Sequence, residues 1–188
     1  DKMNIQWYPG HMTKTRRQIE ADLKQVDAVC EIVDARIPMS SRNPDIDSIC
    51  GNKPRVIVLN RMDLADPAAT KQWADYFKKK GMTVVCTDCK SRKGIADFAP
   101  AVRNACKEKI ERDRKRGIVN RPVRAMVVGI PNVGKSTFIS REQMQDQRLQ
   151  IINAKHAHAA TREINILFLL GLIRYRDTPP RRIYHQQG

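Results

Sequence analysis

Gly129-Ile130-Pro131-Asn132-Val133-Gly134-Lys135-Ser136-Thr137 decides the fold of this chain. The stretch satisfies G-x-x-x-x-G-K-[ST], and its flanks are right: the apolar run Val123 to Val128 enters it and a helix start at Lys135 leaves it. Strand, glycine loop and helix in that order make a phosphate cradle. The glycines let successive backbone N–H groups turn toward one anion, and the helix adds the positive end of its dipole. Lys135 is placed to reach the β- and γ-phosphates and the Ser136 hydroxyl to ligate Mg²⁺, with Asn132, Val133, Gly134 and Thr137 completing the nucleotide-binding loop. Without those flanks the string would be an ordinary glycine-rich βα turn.

A phosphate loop does not name the base. Upstream, Val56-Ile57-Val58-Leu59 reads as a short buried strand and ends in Asn60-Arg61-Met62-Asp63. This is N-[KR]-x-D at the C-terminal end of a strand, where α/β sheets present ligand groups. A carboxylate there accepts both the N1–H and the 2-amino group of guanine, which adenine does not offer. Asp63 therefore selects GTP, Asn60 braces the loop, and the aliphatic stem of Arg61 covers the base where lysine is commoner. On its own, the same stretch also reads as a polar turn after a strand.

The order is inverted relative to ordinary GTPases, because the base motif precedes the phosphate loop. A compact α/β domain tolerates such a cut, since its termini lie at the surface and can be rejoined elsewhere. The opening Trp7-Tyr8-Pro9-Gly10-His11-Met12, the stretch Asp34-Ala35-Arg36-Ile37-Pro38 and the phosphate loop together closely resemble the bacterial ribosome biogenesis GTPase A family over residues 4 to 139. The resemblance implies an α/β fold with a doubly wound, mostly parallel sheet, circularly permuted. It divides one domain, residues 1–188, into a base-recognition half (12–116) and a phosphate-binding half (117–180). The helical C-terminal domain of that family is expected to be missing here, through truncation or a divergent or frame-altered 3′ segment.

Bulk properties agree with one domain and a polyanionic partner. Thirty-five Lys+Arg against 20 Asp+Glu give +15, far beyond what solubility needs. Five cysteines and no signal peptide read as reduced thiols of a cytoplasmic protein. Cys86-Thr87-Asp88-Cys89 is a C-x-x-C without a second pair or a ligand histidine. The apolar run Ile166 to Ile173 is too short to span a bilayer, so no membrane role is expected.

The remaining chain supplies candidates of unequal weight. His11, read plainly, sits in a terminal strap packed on the core; by family resemblance it acts in GTP hydrolysis, in place of the glutamine that orients water elsewhere. Thr13 to Val26 reads as an amphipathic helix, Ala28 to Val33 as a buried strand, and Ile37 to Pro44 as a polar loop. Asp66-Pro67 starts a helix with Trp73, Ala74 and Phe77 inside. After the strand Met82 to Cys86, Asp88 and Cys89 occupy by position alone the short loop whose backbone N–H meets guanine O6. Ile95 to Arg112 reads as one helix running into a basic linker, Glu111 to Arg116, whose charge suits RNA phosphates. Arg141 to Gln150 is polar, with few anchors for the helix after the phosphate loop, and Ile164 to Ile173 reads as a strand.

Thr161 is the candidate switch threonine on Mg²⁺, and Asp177 the residue that holds Mg²⁺ through water. Asp177-Thr178-Pro179-Pro180 departs from Asp-Thr-Pro-Gly at Pro180, which has no N–H for the γ-phosphate. By the same resemblance Asn132 is a candidate K⁺ ligand. The function expected is GTP hydrolysis to GDP and phosphate, with Lys135 and His11 in the chemistry; the resemblance implies its coupling to assembly of the large (50S) ribosomal subunit, by a cytoplasmic monomer that contacts the subunit precursor and rRNA. Two alternatives stay open: a nucleotide-gated rRNA-binding module with negligible hydrolysis, and a nucleotide-free basic RNA-binding fragment.

Overall fold

A computed structural model describes residues 17, 19–43, 46–129, 133–142 and 149–153. His11, Asn132, Thr161, Asp177 and Pro180 lie outside the described residues, as does the strand expected at Ile164 to Ile173. A helical turn over residues 19–23 (α1) leads into β1 (Ala28–Asp34), α2 (Ile46–Cys50), β2 (Arg55–Asn60), α3 (Pro67–Lys79) and β3 (Thr83–Cys86). There follow α4 (Phe98–Ala105), α5 (Lys107–Lys115), β4 (Val123–Gly129), α6 (Lys135–Glu142) and β5 (Leu149–Asn153). Three-residue 3₁₀ turns sit at Met62–Leu64 and Ile95–Asp97.

The five strands form one sheet in the order β3-β2-β1-β4-β5, and every pairing is parallel. Parallel sheets need cover on both faces, so their strands read as continuous apolar runs. β1 and β4 are mostly apolar, and every residue of β1 is buried, Glu31 and Asp34 included, while Arg124 of β4 is exposed. On one face, Cys30, Ile32, Val58 and Val127 pack against Phe98 and Val102 of α4 and Phe138 and Ile139 of α6. On the other, Ile19 and Leu23 of α1 and Ile46 and Cys50 of α2 cover Val29, Met126 and Val128. Trp73, Ala74 and Phe77 of α3 cover Val33, Ile57 and Leu59 on that same side. The sheet is doubly wound, as expected.

Local chemistry accounts for the helix ends. Asp66 caps α3 by accepting from the Ala69 amide at 2.7 Å, and Pro67 opens the helix. Helix α6 is short but anchored, because the Phe138 ring meets Phe98 edge-on at 4.8 Å. Three expectations need correction. Ile95 to Arg112 is not one helix: it starts as a 3₁₀ turn and breaks at the buried Cys106, whose φ −97° and ψ 10° depart from helical values between α4 and α5. The basic stretch Glu111 to Arg116 is not a bare linker, since α5 continues to Lys115. The polar run after α6 ends in a strand, β5, whose pairing with β4 supplies order that its composition does not signal.

Asp27 ties the segment between α5 and β4 to the sheet. Its side chain, 4% exposed, accepts from Lys109 Nζ, from Arg121 Nη2 at 2.5 Å and from the Arg124 amide at 2.8 Å. Burial alone would raise its pKa, but the Arg124 amide and the two cations more than reverse this and hold it below the ordinary carboxylate value. A depressed folded pKa contributes stability above the unfolded value that is lost as pH falls through the folded one. Asp27→Ala should therefore cost about 1–3 kcal/mol in a urea melt at pH 7, with the gap from the parent narrowing below about pH 4. A gap independent of pH would mean that the charge of Asp27 does not matter.

Candidate nucleotide-binding site

Asn60 of the base motif and Val133 of the phosphate loop lie 73 residues apart in sequence and meet through the Asn60 side chain. Asn60 ends β2 with 2% exposure, and its Nδ2 donates to the Val133 carbonyl at 2.7 Å. Its Oδ1 accepts from Thr87 Oγ1 at 3.0 Å and from Cys89 Sγ at 3.2 Å. The loop after β3 is held from the same point: the Thr87 amide donates to the Leu59 carbonyl at 2.9 Å and the Met62 amide to the Thr87 carbonyl at 3.1 Å. Gly134 passes so close that a Cβ there would stand 2.5 Å from Asn60 Nδ2, and its φ of +89° is left-handed. Only glycine meets both conditions without strain.

On the phosphate side, Lys135 opens α6 and is buried. Burial pulls its pKa down to about 8, a tendency that an adjacent polyphosphate would reverse. Ser136 and Thr137 follow on the exposed first turn. The Ser136 hydroxyl is a hard oxygen donor beside the lysine, the donor chemistry that suits Mg²⁺. On the base side Asp63 is exposed at the 3₁₀ turn, with no hydrogen bond to another described residue, while Arg61 before it is left-handed at φ 59°, ψ 36°.

The Asp88 loop is occupied in a specific way. The Asp88 amide donates to the Lys93 carbonyl at 2.9 Å, and its carboxylate accepts from the Lys90 amide at 2.9 Å and from Ser91. The Ser91 hydroxyl bond, joined by the two amide bonds, outweighs the effect of burial and lowers the Asp88 pKa. Among the described residues, the Cys89 amide is the N–H of Asp88, Cys89, Lys90 and Ser91 left without an acceptor. Gly94 backs the loop, because a Cβ there would lie 2.0 Å from the Cys86 carbonyl oxygen. Cys86 and Cys89 pack in separate core clusters.

Known proteins resemble this chain over most of its length. The chain is 51% identical over 140 residues to ribosome biogenesis GTPase A of Priestia megaterium, a match covering 74% of this chain and 49% of that protein. It is 38% identical over 137 residues to mitochondrial ribosome-associated GTPase 1 of Xenopus tropicalis, covering 71% and 42%. The GDP-bound structure of YlqF from T. maritima superimposes with a TM-score of 0.50 at 30% identity, over 71% of this chain and 51% of that one. Over the matched residues, the chain is similar to the ribosome biogenesis GTPase A family. No family profile matches it. The chain spans about half the length of the curated relatives it matches.

The described candidate residues fall into two groups, a turn after β2 with the loop after β3 (Asn60, Arg61, Met62, Asp63, Cys89) and the start of α6 with the loop before it (Val133, Gly134, Lys135, Ser136, Thr137). Sequence reading gave no task to Asp34, which accepts from Arg61 Nη1 at 3.2 Å. The available signal was an acidic residue ending a buried strand, the same kind of signal that marks Asn60. Gly134→Ala should clash with Asn60 and weaken guanine-nucleotide binding at least tenfold, about 1.4 kcal/mol, as read by fluorescent-nucleotide titration. Unchanged affinity would show that the Asn60–Val133 junction is not needed for binding.

Proposed function

We propose that the chain binds GTP and hydrolyses it to GDP and phosphate in the service of large-subunit ribosome assembly. The observation that carries this reading is the Asn60 side chain, which joins a guanine-type turn to the exit of a phosphate loop. In use, the Asp63 carboxylate accepts from guanine N1–H and the 2-amino group, while the Cys89 amide donates to O6. Lys135 and the N-terminal amides of α6 take the phosphates. Ser136 is the described residue that would hold Mg²⁺, and Thr161 and Asp177 are assigned to the same ion. Bound there, the ion neutralises charge on the β- and γ-phosphates. His11 is assigned to hydrolysis, Asn132 to K⁺, and Pro180 to a weakened γ-phosphate contact.

The partner side of the proposal rests on relatives and charge. Those relatives are named for ribosome biogenesis and ribosome association. The +15 charge suits precursor rRNA, and α5 presents exposed Arg112, Arg114 and Lys115. We assign the chain to the cytoplasm, as a monomer, and read residues 1–188 as one permuted GTPase domain. None of its described helices is long and apolar enough to cross a membrane.

The test is base selectivity. GDP should bind in competition with GTP and not with ATP. Asp63→Asn should lower guanine-nucleotide affinity about 10- to 100-fold by removing charge-assisted hydrogen bonds, and it should shift preference toward xanthine nucleotides. Equal competition by ATP in the parent protein would overturn the guanine assignment.

A further inference from the structure

Strand β1 ends on Asp34 directly beside Asn60: the two are register partners, and the Ala35 amide donates to the Asn60 carbonyl at 2.8 Å. The Asp34 side chain is 5% exposed and fully engaged. Its Oδ1 accepts from the Arg36 amide at 2.9 Å and from Arg36 Nε at 3.0 Å. Its Oδ2 accepts from Arg36 Nη2 at 2.7 Å and from Arg61 Nη1 at 3.2 Å. Ser41 Oγ accepts from the Asp34 amide at 2.9 Å, which fixes the residue from behind.

Both guanidinium groups therefore converge on one buried carboxylate at the edge of the base turn. Arg61 is the second residue of the N-R-x-D turn and holds a left-handed backbone that a non-glycine residue adopts at a cost. Something must hold it there, and Asp34 grips its far end. Arg36 is close enough to feel the charge of Asp63. Burial alone would raise the pKa of Asp34, but Arg36, helped by Arg61, more than reverses this, so the carboxylate stays charged.

The geometry points to Asp34 as a positioning residue for guanine recognition. Through Arg61 and Arg36 it sets the turn that presents Asp63 before any nucleotide arrives. This inference rests on the guanine reading above. Preorganisation raises affinity by removing the ordering that binding would otherwise require. Among the described residues the Asp34 side chain hydrogen-bonds Arg36 and Arg61 and none of residues 133–142, so the effect should be confined to the base.

The experiment is a double-mutant cycle on Asp34→Asn and Arg61→Ala, reading GDP and inorganic pyrophosphate affinities by calorimetry. Asp34→Asn should weaken GDP about tenfold and leave pyrophosphate unchanged. Adding it to Arg61→Ala should bring little further loss, because the two act as one unit. Should Asp34→Asn not fold, as judged by circular dichroism, Arg36→Ala replaces it with the same expected pattern. Equal losses for GDP and pyrophosphate, or fully additive losses, would overturn the role of Asp34. A parent chain that binds pyrophosphate but not GDP would instead overturn the guanine reading, and this inference with it.

Discussion

The Asn60 amide is the constraint on which the rest of the site depends. It is buried, and both ends are used: Nδ2 on the Val133 carbonyl, Oδ1 under Thr87 and Cys89. An amide left unpaired at such depth costs about 1–3 kcal/mol, so the phosphate loop cannot leave the base turn without penalty. The bond sets further demands around it. Gly134 must lack a side chain, Thr87 must bring a hydroxyl, and β3 must lie next to β2 so that the loop after it arrives at the same place. One hydrogen bond thereby couples two motifs on different strands.

Strand β1 is the spine of the sheet and carries three buried carboxylates, Asp27 just before it, Glu31 within it and Asp34 at its end. Each is met by cations. Glu31 accepts from Arg42 Nη2 at 3.0 Å and Arg55 Nη2 at 3.2 Å, and Asp47 bridges the same two arginines from outside. Arg42 also lies over the Phe77 ring at 5.6 Å, which joins the loop after β1 to α3. In a chain of +15, several of the scarce acids sit inside as anchors. They fix the loops at both ends of β1: Asp27 the entry to β4, Asp34 the base turn.

How far this could be read from the chain varied with the kind of signal. The phosphate loop, the Asn60–Asp63 turn and the Asp66 cap are local: a few adjacent residues dictate backbone direction and chemistry, so their type and order were legible. The doubly wound parallel sheet was expected from the family resemblance, and the mostly apolar strands agree with it, the acids Glu31 and Asp34 of β1 being met by arginines. The break at Cys106 was not legible, since 95–112 keeps a helix-like apolar period across it. Nor was β5, whose order comes from its partner strand.

By itself, the sequence determined the fold class, the inverted order of base and phosphate motifs, and the residue types that each motif presents. Only the tertiary structure decided what joins them: Asn60 to Val133, Asp34 to Arg61, Asp27 to Arg121. The physical reason is that these bonds span long stretches of chain, and their energy depends on burial and on ångström-scale placement. Sheet order creates both, and no short window of residues encodes either.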